Sequence, residues 1–424
     1  MIRSKHFSSL SSFSGRLTIK NVLTPTNKII TIERPYQKNL SIDGEGLLCL
    51  PNLIDPHVHF RTPGLEHKED WLTGSRAAFK GGITTVFDMP NVIPPTTTAE
   101  RLEQKFAKIE SQLEQSQLPL NYKLFFGVEE NTLGEIDKVK DKIIGLKVFM
   151  DAGVKSPGNT EEIFFNQIFD SAQRNNLIVA LHAEDHNVIK ENTKRYDYDQ
   201  EIKVHSCVHS KEAALVAIER VIKLVRNYKV PAYILHVSTK DEIDLVSDAK
   251  KEGLPIFAEC CPHYLFLDES MYPILQGKCK INPAIRTKTD IDYAWKALND
   301  GKYDTIGSDH APHTSKEKAN IRKKCPSGVP GIETSLPLFL TAWKENKIEI
   351  SRIVELMHTN PKKIFKLDNE LNDDFVLVNV EEYKIINDDD LATKVKWSPY
   401  SGMRLTGFPK YVFTNNRLFD LDLV

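Results

Sequence analysis

No two of the six cysteines (Cys49, Cys207, Cys260, Cys261, Cys279 and Cys325) stand in a Cys-x-x-Cys arrangement, and their spacing suggests no disulfide framework. This excludes a thioredoxin-like redox motif and a small stapled scaffold, and it points to a reducing compartment, with the cytoplasm as the expected location. No apolar run approaches the roughly 20 residues that cross a bilayer, so a membrane-spanning helix is not expected. An excess of one charge is missing too: 56 Lys and Arg against 58 Asp and Glu leave a net charge of −2. That balance argues against a nucleic-acid or anionic-membrane surface and leaves a small molecule as the expected partner. There is no internal repeat, and low complexity is confined to the Ser-rich, basic, acid-free start (residues 1–16), which fits either a short ragged leader or an organelle transit peptide.

A chain of 424 residues has room for one large domain with an accessory module, or for two ordinary domains. Short apolar or β-branched runs recur at intervals too long for hairpins, with amphipathic stretches between them, which is the rhythm of parallel βα units. Eight strands are expected: Leu47 to His59, Thr84 to Met89, Tyr122 to Val128, Ile144 to Met150, Leu177 to Ala183, Ala232 to Val237, Ile256 to Cys261 and Thr305 to Ser308. Eight such units suggest an α/β fold closed as a (β/α)8 barrel. Thr98, Ser210 and Thr239 stand as N-caps before helical stretches. Arg16 to Leu50 and Asp374 to Val424 read as strand-rich and are expected to pair as one small β module. The expected division is residues 1–50 and 366–424 for that module and 51–365 for the barrel.

Chemistry concentrates where these strands end. His57 and His59 are spaced i, i+2, so on a strand they face the same way and can grip one metal ion; alternatively they only hydrogen-bond near a strand end. Lys147 sits in an apolar central strand, where an ammonium costs several kcal/mol unless it is paired or neutralised. Carboxylation by CO2 would make it an anion able to bridge two metals. The other readings are a snorkelling side chain and a bridge supplied by Asp151. The fifth strand ends in His182, the sixth in His236, and the eighth in Asp309 followed by His313. In a barrel of this type, chemistry sits at the carboxyl ends of the strands, so these donors would meet at one mouth, with ligand types suited to zinc.

Three strings carry a resemblance: Asp-Pro-His-Val-His-Phe-Arg-Thr-Pro-Gly (residues 55–64), Phe-Asp-Met-Pro-Asn (87–91) and Ser-Asp-His-Ala-Pro-His (308–313). They resemble the dihydroorotases of the amidohydrolase superfamily over about Leu47 to Glu333. The resemblance implies a (β/α)8 TIM-like barrel with a composite β-sandwich. It also implies a zinc enzyme interconverting N-carbamoyl-L-aspartate and L-dihydroorotate in pyrimidine synthesis. Carried over, His57, His59, Lys147 and Asp309 hold one Zn2+, and Lys147, His182 and His236 hold a second. Carboxylated Lys147 and a hydroxide bridge the two, and Asp309 moves the proton. Arg61, Asn91, Asn282 and His313 contact substrate, as does the backbone at Gly328. A cysteine that carries a third metal in some relatives is replaced by Leu235. A homodimer is implied, and association with aspartate carbamoyltransferase is compatible with the resemblance.

Allantoinase and dihydropyrimidinase (hydantoinase) share these metal ligands, and Arg61 with Asn91 argues against both. A reading from another class is a non-catalytic amidohydrolase-fold subunit, against which stand all six filled ligand positions. His67, His186, His205, His209, His263 and His358 match no ligand position and are read as surface or packing residues.

Overall fold

The chain begins with four strands, β1 (Gly15–Leu23), β2 (Ile29–Tyr36), β3 (Leu40–Asp43) and β4 (Leu47–Pro51). It then enters β5 (Leu53–Val58), β6 (Ile83–Asp88), β7 (Asn121–Gly127), β8 (Gly145–Phe149), β9 (Val179–His182), β10 (Ala232–Ile234), β11 (Ile256–Cys260) and β12 (Thr305–Ile306). Three more, β13 (Phe375–Ile385), β14 (Arg404–Thr414) and β15 (Arg417–Asp420), end it. The computed structural model describes residues 13–153, 161–197, 201–320, 325–367 and 374–424. Most of the Ser-rich start, residues 1–12, lies outside them.

Strands β5 to β12 pair in sequence order, every pair parallel, with helices between them. All eight expected barrel strands are present. The first differs in one respect: the apolar run from Leu47 to His59 is two strands. Asn52 interrupts the run, and its backbone N–H turns to Asp374 O at 3.0 Å. β4 therefore leaves with β13 in the other sheet. Pro56 deprives β5 of one N–H, and the seam between β5 and β12 closes around a side chain. Asp55 Oδ1 accepts the N–H of His57 at 3.2 Å and of Ser308 at 3.0 Å. A single parallel bridge, Val58 to His310, completes the ring.

The helices begin where their caps predict. Thr98, Ser210 and Thr239 each accept an N–H from the first turn of Ala99–Ser116, Lys211–Tyr228 and Lys240–Lys251, and Thr239 forms a full capping box with Glu242. The apolar faces of these helices pack on the outward side chains of the strands. A second cluster (Ile54, Phe87, Phe125, Ala180, Tyr233 and Phe365) draws one residue from each of five strands and fills the barrel interior below the mouth.

The remaining seven strands hydrogen-bond as one sheet in the order β15-β14-β13-β4-β1-β2, with β3 against β1, so both ends of the chain build it. Leu17, Ile19, Ile32, Phe375 and Phe413 give it a core of its own. From this module a connecting stretch reaches the barrel mouth. Thr393 and Lys394 donate to Glu69, and Trp397 Nε1 donates to His313 O at 2.8 Å.

Candidate active site

The donors named from sequence meet at the carboxyl ends of the strands. His57 lies in β5 and His59 one residue beyond it. Asp309 follows β12, and the Nε2 atoms of His57 and His59 stand 3.2 and 3.1 Å from Asp309 Oδ1. The opposite ring nitrogens are engaged: His57 Nδ1–H donates to Glu259 Oε1 at 2.8 Å and His59 Nδ1–H to Asn91 Oδ1 at 2.7 Å. These bonds fix the tautomers, so two imidazole lone pairs confront a carboxylate oxygen. That arrangement is repulsive without a cation between them, and it fits a divalent metal held by outer carboxylate and amide partners. Burial pulls the pKa of His59 down to about 3, keeping it in the neutral, metal-binding form.

A second pair lies across the mouth. His182 Nε2–H donates to Glu184 Oε2 at 2.8 Å, which leaves Nδ1 facing His236 Nε2 at 2.9 Å. A proton or a cation has to stand between those nitrogens. His236 Nδ1 is buried without a hydrogen-bond partner among the described residues, and burial and His182 hold the His236 pKa well below its ordinary value. Asp151 Oδ2 stands 3.8 Å from His182 Nε2, on the side of this second pair.

Lys147, in β8, is 1% exposed, with its Nζ 4.4 Å from the centre of the Phe149 ring. No carboxylate among the described residues is in ion-pair contact with it. Burial lowers its pKa to about 8, so the neutral amine is far more populated near neutrality than for an exposed lysine. Asp309 is held well below the usual carboxylate range: burial pushes it up, and His57, His59 and His236 more than reverse this.

A cavity of about 160 Å³ opens over these groups, lined also by Arg61, Asn91, Asn282, Ser327 and Gly328. Arg61 is 5% exposed, its Nε donates to Pro312 O at 3.2 Å, and no described carboxylate forms an ion pair with it. Asn282 Oδ1 is buried without a hydrogen-bond partner among the described residues. Gly328, at φ +129°, admits no other residue, because a Cβ there would meet Ala311 O at 2.5 Å. His313 stands beside Arg61 with both nitrogens engaged: Nδ1 accepts from Lys68 at 3.0 Å and Nε2–H donates to Ser327 O at 3.0 Å. Burial and the cations Arg61 and Lys68 draw its pKa to about 2. Arg61, His236 and Asp309 all adopt positive φ (61°, 42° and 45°), a strained conformation that marks functional positions.

Sequence reasoning missed the outer partners. Glu259 in β11 is fully buried and takes His57 Nδ1–H, the His236 N–H at 3.0 Å and the Tyr233 hydroxyl at 2.8 Å. A charge inside Ile-Phe-Ala-Glu-Cys-Cys was the available signal. Glu184, spaced i+2 from His182, offered the same one. Lys105 and Asp88 form a buried pair at 2.5 Å, and Asp88 also holds the Phe60 N–H next to Arg61. Nothing in the local pattern links those two residues. Of the histidines read as surface or packing residues, His205, His209 and His263 are buried.

Glu259 leaves a test at its neighbour. A Cβ on Gly307 would lie 2.4 Å from Glu259 Oε2 and 3.0 Å from His57 Cβ. Gly307→Ala is expected to cost about 1–3 kcal/mol of stability and, by moving Glu259, to weaken metal affinity about 10- to 100-fold. Thermal melts and metal analysis of the purified variant check both.

Residues 48–372 match the amidohydrolase family. Dihydroorotase from Methanosarcina acetivorans is 32% identical, covering 96% of this chain and 89% of that protein. Dihydroorotase from Pyrococcus furiosus is 36% identical over 90% of the chain and 83% of its own length. The multifunctional protein CAD of Squalus acanthias is 32% identical over 90% of the chain, which spans 15% of it. Among solved structures, L-hydantoinase (dihydropyrimidinase) from Arthrobacter aurescens superposes with a TM-score of 0.85 over 95% of each chain at 24% identity, a likeness of fold. No helix among the described residues is long and apolar enough to cross a membrane. The chain belongs to the amidohydrolase family, as a cyclic amidohydrolase whose sequence relatives include dihydroorotases.

Proposed function

We propose that this enzyme is a dihydroorotase, closing N-carbamoyl-L-aspartate to L-dihydroorotate and reopening it. Arg61 carries this reading. A buried guanidinium that faces the cavity without a carboxylate partner asks for an anionic substrate, and dihydroorotate brings a carboxylate that Arg can bind bidentately. Hydantoin and dihydrouracil rings lack that group and would leave the charge uncompensated.

His57, His59 and Asp309 would hold one zinc ion and His182 and His236 a second, and Lys147, once carboxylated, would be a ligand available to both. When bound, such ions would supply Lewis acidity to the ring carbonyl and lower the pKa of water toward 7. The chain does the rest. Arg61 anchors the carboxylate, aided by the Asn91 amide N–H groups, since Asn91 Oδ1 is already taken by His59. Asn282 Oδ1 accepts from a ring N–H. Asp309 Oδ1 is directed at the imidazoles, leaving Oδ2 to take a proton in ring opening and return it to the leaving amide nitrogen. Ring closure needs Asp309 protonated, so cyclisation gains as pH falls.

The cytoplasm, a homodimer and association with aspartate carbamoyltransferase complete the proposal. The free thiols of all six cysteines support the first. Zinc-loaded protein is incubated with dihydroorotate, dihydrouracil, hydantoin and allantoin. Dihydroorotate is expected to open fastest, and a chelator is expected to abolish turnover until zinc is restored. Preferential opening of an uncharged ring would refute the assignment.

A further inference from the structure

Lys318 is 1% exposed, burial pulls its pKa down to about 7, and no carboxylate among the described residues forms an ion pair with it. Its Nζ donates to three backbone carbonyls, Lys280 O, Pro326 O and Gly328 O, each at 2.9 Å. An ammonium has three N–H donors, so this cage uses all of them.

The three carbonyls belong to two separate stretches of chain. Lys280 stands two residues before Asn282, while Pro326 and Gly328 flank Ser327. Asn282, Ser327 and Gly328 all line the cavity above the metal donors. Two further bonds tie the same stretches together: Gly328 N–H to Lys280 O at 3.0 Å and Lys280 Nζ to Cys325 O at 2.7 Å. The short helix Ser315–Lys318 that delivers the ammonium is itself fixed, by a capping box between Thr314 and Glu317 and by the ion pair of Glu317 with Lys68 at 3.0 Å.

A buried amine with no ion-paired carboxylate among the described residues is an expensive way to pack a loop, and an apolar side chain would avoid that desolvation. It would also take the ammonium donor from the Pro326 and Gly328 carbonyls and leave Lys280 O with the Gly328 N–H alone, where the backbone approaches the cavity.

We propose that Lys318 is a positioning residue for substrate: by holding carbonyls of both walls on one ammonium, it sets the gap between Asn282 and Ser327–Gly328. This rests on the cavity being the cyclic-amide site proposed above. Lys318 touches neither the metal donors nor Asp309, so its loss should weaken substrate binding while leaving the chemical step in place.

The test is steady-state kinetics of the full-length, zinc-loaded enzyme with dihydroorotate, for wild type, Lys318→Met and Lys318→Gln. Lys318→Met is expected to raise KM about tenfold with kcat within about threefold of wild type and zinc content unchanged. Lys318→Gln, which keeps two N–H donors, should fall between the two. A KM for Lys318→Met within about twofold of wild type overturns the proposal, as does a fall in kcat that tracks lost zinc. If Lys318→Met does not fold, Lys318→Gln decides by the same split. If wild type does not open dihydroorotate, the functional reading fails on its own, and the ring that wild type does open serves for the same comparison.

Discussion

Asp309→Ala should lower kcat by about 10²- to 10⁴-fold, the usual worth of a positioned acid–base group. The geometry makes this the most sensitive side chain of the site. Its Oδ1 faces two imidazole nitrogens at 3.1 and 3.2 Å, and its backbone is held at φ +45°, so both placement and conformation are committed to one task. The variant also removes the only carboxylate in the first donor cluster, so metal analysis must accompany the kinetics. A variant that retains zinc and near-normal turnover would rule out the proton-carrying role.

Lys147→Ala is expected to empty at least one metal position and to remove several kcal/mol of transition-state stabilisation, about three orders of magnitude in rate. The amine is fully enclosed, has no ion-pair partner among the described residues and has its pKa drawn to about 8, which leaves neutral nitrogen available to react with CO2. A short carboxylic acid added to the variant should restore part of the activity by standing in for the carbamate. Intact-mass measurement of gently prepared wild type should find the added CO2. Full zinc occupancy in Lys147→Ala would instead transfer the bridging role to Asp151.

The barrel was legible because the strands are short apolar runs and several of the longer helices, Ala99–Ser116, Lys211–Tyr228 and Lys240–Lys251 among them, start at a side-chain cap. Both signals are local. The six candidate donors, which the fold brings to one cavity, stood out for a related reason: a polar group at the end of a buried strand contrasts with its neighbours. What stayed hidden depends on contacts between distant residues. Pro51-Asn52 marks a break within Leu47 to His59, but that β4 leaves for the other sheet follows from pairing with β13 and Asp374, far along the chain. Glu259 becomes meaningful only once β11 lies beside β10 and near His57. His313 read as a substrate contact, but its partners Lys68 and Ser327 lie far from it or across a loop, and only the fold brings them to its two nitrogens.

The ring of strands is weakest where its first and last members meet, through one bridge and the Asp55 carboxylate. His57 and His59 come from one side of that join and Asp309 from the other. A cation gripped by all three would act as a clasp over the gap, linking occupancy to global stability: a free metal concentration a thousandfold above Kd would add about 4 kcal/mol to the unfolding free energy. The ion that equips the enzyme for chemistry would thus also latch its architecture shut.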